Sequence, residues 1–116
     1  MGDYSDQVIR LKLFRELERS VGRDGASKSD VSKLAAMVAE VADTIGPVLK
    51  RIPETFAQYT EHDLTHSCSI IRLMGEFIPG KTLRNLNPLE LAMLMLSALC
   101  HDLGMVVSDA EKEAAI

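Results

Sequence analysis

Asn87-Pro88-Leu89-Glu90-Leu91-Ala92-Met93-Leu94-Met95-Leu96-Ser97-Ala98-Leu99-Cys100-His101-Asp102 is the stretch on which the fold turns. Asn87 is a helix cap, Pro88 is pre-set for the first helical position, and Glu90 completes a capping box in which side chains and backbone amides satisfy each other. From Leu89 to Cys100 the segment is apolar nearly all round. A helix of this kind is expected to be buried on most sides, in the middle of an α-helical domain. Its longest run, Leu91 to Cys100 interrupted only by Ser97, is about half the length needed to cross a bilayer.

Working backwards, Thr60-Glu61-His62-Asp63 has the same capping-box form and opens a helix expected to run to Phe77, where Ile78-Pro79-Gly80 ends it. Leu64, Ile70, Ile71, Leu73, Met74 and Phe77 supply its apolar positions, and His62 and His66 lie one turn apart on one face. Before it, Val31, Leu34, Ala35, Val38, Val41, Ala42, Ile45, Val48 and Leu49 trace a stripe at helical spacing. Ser29 or Asp30 is the expected cap, and Pro47 is expected to kink this helix or end it near Gly46. A first helix is expected from about Ser5 to Ser20, and the polar, glycine-containing segment Ser20 to Ser29 reads as a flexible connection.

After the central helix, Gly104 is placed for a left-handed closing turn, and Ser108-Asp109-Ala110-Glu111 begins another helix that reaches Ile116 after barely two turns. The expectation is therefore an N-terminal fragment of a longer protein. The cluster Glu111, Lys112 and Glu113 reads as a solvated helix face, and Met37, Met74, Met93 and Met95 read as core filling.

The whole sequence of 116 residues is 47% hydrophobic and 26% charged, with a formal net charge of -4. That composition excludes intrinsic disorder, and an acidic chain has no broad positive surface for a nucleic-acid backbone. Cys68 and Cys100 form no Cys-x-x-Cys pair, and the polar N-terminus is not a secretory signal. Together with the absence of a spanning segment, these features point to the cytoplasm.

Chemistry is expected where the histidines gather. A short connection from Ile78 to Asn87 leaves the two flanking helices antiparallel and adjacent, which brings the start of one to the end of the other. His62, His66, His101 and Asp102 then converge, with Asp63 beside them. An imidazole and a carboxylate at the end of an apolar helix are costly to desolvate unless each has a partner: either His101 bonds a backbone carbonyl while Asp102 caps the helix or meets an arginine, or a divalent cation satisfies both. Mixed imidazole and carboxylate donors suit Mn, Fe, Co, Ni or Mg better than a thiolate zinc site, although Zn is also compatible. Such a cation activates water and polarises a phosphoryl oxygen, so hydrolysis of a phosphoester is the natural reaction.

Thr60-Glu61-His62-Asp63-Leu64-Thr65-His66-Ser67 and His101-Asp102-Leu103-Gly104-Met105, with 34 residues between His66 and His101, resemble the first part of the HD superfamily of metal-dependent phosphohydrolases. The run from Asn87 is similar to an HD-CE-like subgroup often found at the start of large multidomain bacterial proteins, some with a downstream chaperone-type ATPase domain. The resemblance implies an all-α, HD-domain-like helical bundle, incomplete here at about four to five helices. It divides the chain into an N-terminal helix with flexible linker over 1–29 and the N-terminal portion of an HD-type domain over 30–116.

It further implies that His66, His101 and Asp102 hold a divalent metal, that Asp102 has the largest effect on turnover, and that His62 and Asp63 serve the substrate phosphate or a proton relay. The family's closing aspartate has no match, since Asp109 follows Asp102 too closely. The implied substrate is a phosphorylated small molecule or nucleotide, and the implied partners are downstream domains or a second copy of the chain. The competing reading is a non-catalytic helical interaction module with a degenerate or truncated site, which binds a partner through the stripe of the second helix.

Overall fold

A computed structural model describes residues 3–49, 64–101 and 103. Among these there are six α-helices and no strand: α1 (Asp3–Ile9), α2 (Lys12–Arg19), α3 (Lys28–Leu49), α4 (Leu64–Phe77), α5 (Gly80–Asn85) and α6 (Pro88–Cys100), with a 3₁₀ turn over Arg23–Gly25. The all-α expectation holds. The helix starts at Thr60 and Ser108, Gly104 and the cluster of residues 111–113 lie outside the described residues.

The central helix forms as its sequence dictates. Asn87 Oδ1 accepts from the Glu90 amide at 2.8 Å, and Glu90 Oε1 accepts from the Asn87 amide at 3.0 Å. Leu91, Ala92, Met95, Ala98 and Leu99 of α6 are buried, and α6 packs against α2, α3 and α4. It is not covered all round, however: Leu89 and Met93 are 59% and 53% exposed. The two lie four residues apart and point away from the buried face, so hydrophobicity alone did not reveal the solvent side. The methionines divide in the same way, with Met95 buried and Met37 and Met93 exposed.

The single first helix expected over Ser5–Ser20 is broken at Arg10–Leu11, where Leu11 is extended at φ -76°, ψ 149°. Helical geometry explains the break. Leu17 follows Val8 by nine residues, which at 100° per residue puts the two on opposite sides of a straight helix. Both are fully buried. Breaking the helix lets α1 and α2 each turn an apolar face to the same core.

The Ser20–Ser29 segment is likewise no flexible linker. Gly22 and Gly25 take φ of 90° and 76°, and Asp24 also enters the left-handed region at φ 54°. This curls the chain so that Arg23 points inward. Its guanidinium donates to the carbonyls of Leu83 and Leu86 at 3.0 and 3.1 Å and pairs with Glu16 at 2.7 Å.

The helix α3 is capped by Ser27, not by Ser29 or Asp30. Ser27 Oγ accepts from the Asp30 amide while Asp30 Oδ2 accepts from the Ser27 amide, a capping box with aspartate in the third position. Pro47 does not end this helix, which runs on to Leu49. Ile45 and Leu49, on either side of the proline, are buried in the core and hold the last turn in place. Val31, Val38 and Ala42 complete the buried stripe.

Candidate metal centre

His66 sits in the first turn of α4 and His101 at the C-terminal end of α6. The two rings meet with centroids 5.6 Å apart and planes inclined by 47°. The start of one helix therefore lies at the end of the other, which is the antiparallel apposition expected from the short connection. That connection carries the additional helix α5, whose Leu83 is buried against the core.

His101 Nδ1 lies 2.6 Å from the Ala98 carbonyl oxygen. A carbonyl only accepts, so Nδ1 carries the proton and the ring lone pair resides on Nε2. A backbone carbonyl that fixes the tautomer in this way is the usual companion of a metal-ligating histidine. His101 is exposed to solvent. The desolvation cost expected for its imidazole is therefore small, and its placement is better explained by the pairing with His66.

The separation of the two rings is compatible with both imidazoles sharing one divalent cation. A metal bonded to an imidazole nitrogen at about 2.1 Å stands roughly 3.3 Å from the ring centroid, so two rings on one ion are separated by about 4.7 Å in a right-angled arrangement and about 6.6 Å in a linear one. The observed 5.6 Å falls between these limits. Cys100, the residue before His101, has its thiol pushed up from the ordinary value by burial.

Of the residues singled out by sequence, the structure brings His66 and His101 together. Asp102, His62 and Asp63 lie outside the described residues. Among the described residues no group of three or more His, Cys, Asp or Glu side chains gathers to hold an ion. One feature was missed by sequence: Ser67, next to His66, is fully buried with its hydroxyl unpartnered. A serine inside a helix is too ordinary to signal this, although a buried hydroxyl without a hydrogen bond is uncommon in a folded protein.

The family model for HD-CE matches residues 56–116, more than half of the chain. The chain belongs to the HD-CE family. No curated protein and no solved structure matches it. The matched region contains both halves of the histidine pair, while α1, α2 and α3 precede it. These three HD-CE helices are nevertheless not peripheral in space, because α2 and α3 both pack on α6, the helix that delivers His101.

Proposed function

We propose that this HD-CE domain is a metal-dependent phosphohydrolase that cleaves a phosphoester of a nucleotide or a related phosphorylated small molecule. The observation that carries this reading is the apposition of the His66 and His101 rings at 5.6 Å, with the tautomer of His101 set by the Ala98 carbonyl. A bound divalent cation supplies an activated water and a counter-charge for the phosphoryl oxygens.

His66 and His101 hold that cation through ring nitrogens, and the capped, core-packed helix α6 fixes where His101 stands. Asp102, adjacent in sequence, is the third donor and the residue that orients the attacking water. His62 and Asp63 contact the substrate phosphate or relay the proton to the leaving group. The cation, not a basic surface, attracts the phosphate, which is consistent with the net charge of -4. No helix among the described residues is long and apolar enough to cross a membrane, and both cysteines are free thiols. Both observations support a cytoplasmic enzyme.

The test is metal analysis of the purified protein with His66→Ala, His101→Ala and Asp102→Ala beside it, followed by hydrolysis of a chromogenic phosphodiester with Mn, Fe, Co, Ni, Mg or Zn added. Wild type is expected to retain a divalent metal that each variant loses, together with metal-dependent hydrolysis. Equal metal content in wild type and all three variants sinks the proposal. Metal binding without hydrolysis of any phosphoester favours the non-catalytic module.

A further inference from the structure

The link between α5 and α6 consists of Leu86 and Asn87 alone, and both are gripped by one turn from elsewhere in the chain. Arg23 Nη1 donates to the carbonyl of Leu83, in the last turn of α5, and to that of Leu86, at 3.0 and 3.1 Å. The next residue, Asp24, accepts from Asn87 Nδ2 at 3.4 Å. That bond also orients the Asn87 amide group. With Nδ2 turned to Asp24, the oxygen Oδ1 faces the Glu90 amide and completes the capping box.

The turn that makes these bonds is stiff. Gly22, Asp24 and Gly25 take φ of 90°, 54° and 76°, and a residue other than glycine persists in that region only where its surroundings enforce it. The Gly22 amide donates to the Ala26 carbonyl at 2.8 Å and the Arg23 amide to the Ser20 carbonyl at 3.1 Å, which closes the curl. On one side Glu16 of α2 holds the Arg23 guanidinium through Nη2 at 2.7 Å. On the other, the Ser27 and Asp30 capping box starts α3. The turn is thus a fixed point carried by α2 and α3.

What this grip fixes is the position of α6 along its own axis. The buried residues Leu91, Ala92, Met95, Ala98 and Leu99 meet α2, α3 and α4 through apolar contacts, which favour burial without direction. Helices packed in this way shift past one another by about 1–2 Å when a protein changes state. The hydrogen bonds at Leu86 and Asn87 are directional and set the start of α6 at one height. Beyond Pro88 there is no joint, since α6 runs unbroken to Cys100 and His101 keeps helical angles of φ -61°, ψ -32°. A displacement at the link therefore travels along about 20 Å of helix to the His101 ring.

We propose that Arg23, supported by Asp24, is a positioning residue for the His66 and His101 pair. By setting the height of α6 against α4, it holds the two ring centroids 5.6 Å apart. Arg23 and Asp24 precede residues 56–116, the region matched to HD-CE, so one histidine of the matched region takes its placement from the segment before it. The consequence for metal binding rests on the metal-centre reading of that pair, whereas the placement of the rings is measurable without metal.

The experiment records the imidazole proton resonances of His66 and His101 by NMR in the metal-free full chain, at fixed pH and ionic strength. Arg23→Lys keeps a cation beside Glu16 but lacks the fork that serves two carbonyls, and Asp24→Gly keeps the left-handed turn while removing the acceptor of Asn87. Both are expected to move the resonances of the two histidines. Asp24→Asn retains an oxygen for Asn87 Nδ2 and tolerates the left-handed region, so it should leave them in place. Gly46→Ala disturbs the contact between α1 and α3, serves as the control for lost stability alone, and should also leave them in place. Calorimetric titration with zinc is expected to show roughly tenfold weaker binding for Arg23→Lys than for wild type.

Histidine resonances unmoved by Arg23→Lys overturn the proposal. So does an equal displacement in Gly46→Ala, since the signal then reports stability and not the link. Wild type that binds no zinc while Arg23→Lys moves the rings refutes the metal centre and leaves the positioning role standing. Zinc binding by wild type with rings unmoved in Arg23→Lys does the opposite.

Discussion

Arg23 donates to the backbone carbonyl of Leu83 at 3.0 Å, across sixty residues of sequence. The same guanidinium reaches Leu86 and Glu16, so one side chain ties the turn after α2 to the end of α5 and to α2 itself. The pair is largely withdrawn from water, with Arg23 23% and Glu16 10% exposed. Removing the cation leaves a buried carboxylate and two unsatisfied carbonyls. Arg23→Ala is therefore expected to destabilise the fold by about 2–3 kcal/mol, at or below the lower limit for a broken buried pair because Arg23 keeps some solvent. Arg23→Lys should recover less than half of this, since an ammonium lacks the planar fork that serves three acceptors. Urea denaturation measures both. A midpoint for Arg23→Ala within error of wild type would refute the tie.

Tyr4 lies flat against Gly46, so close that a Cβ on Gly46 would overlap the ring carbons. Alanine in a helix interior normally gains about 1 kcal/mol over glycine, and here the sign should reverse because α1 has to lift off α3. Gly46→Ala is expected to lower stability by about 1–2 kcal/mol. In the Tyr4→Ala background the same change should be neutral or stabilising. This double-mutant cycle, followed by thermal denaturation, isolates the contact from the propensity term. Additive effects of the two substitutions would show that the ring and the glycine are not coupled.

What the sequence revealed about this fold follows its physics. The cap at Asn87, the end of α4 at Phe77 and the buried stripe of α3 depend on local chemistry and on spacing, and each was legible. The apposition of His66 and His101 was legible too, because a short connection constrains where the next helix begins. The break at Arg10–Leu11 was marked by no proline or glycine. It shows only when Val8 and Leu17 are required to face one core, which is a tertiary demand. Pro47 does not stop α3 for the opposite reason, since buried Ile45 and Leu49 hold the helix beyond it. The role of Arg23 is not legible in the sequence, because two of its three acceptors are backbone carbonyls, which leave no trace in side-chain pattern.

The Asp30 carboxyl lies below the ordinary carboxylate range, chiefly because the Ser27 amide donates to it and secondarily through the Ser27 side chain. Its folded pKa is depressed, so its contribution to stability is present above the unfolded value of about 3.9 and is lost as pH falls through the folded value. The N-terminus of α3 should therefore fray in the range below about pH 4. The Ser27 amide resonance should shift along that titration in NMR spectra. Asp30→Asn keeps an acceptor oxygen but cannot ionise, and it should flatten this part of the acid profile. Identical acid profiles for wild type and Asp30→Asn would contradict the assignment.

The capping box at Asn87 also has a consequence at the far end of its helix. Asn87→Ala removes the acceptor of the Glu90 amide and is expected to cost about 1 kcal/mol. Because α6 is the helix that carries His101, loosening its start should allow small shifts along its axis, whereas Glu90→Gln retains an acceptor oxygen for the Asn87 amide and should be nearly silent. Ring-current shifts of the His66 and His101 protons depend steeply on the 5.6 Å separation and report such movement directly. Asn87→Ala should move those resonances while Glu90→Gln leaves them in place. If α6 is instead held by its core side chains Leu91, Met95 and Leu99, stability will fall and the histidine resonances will not move. The cap would then stabilise the helix without positioning the histidine pair.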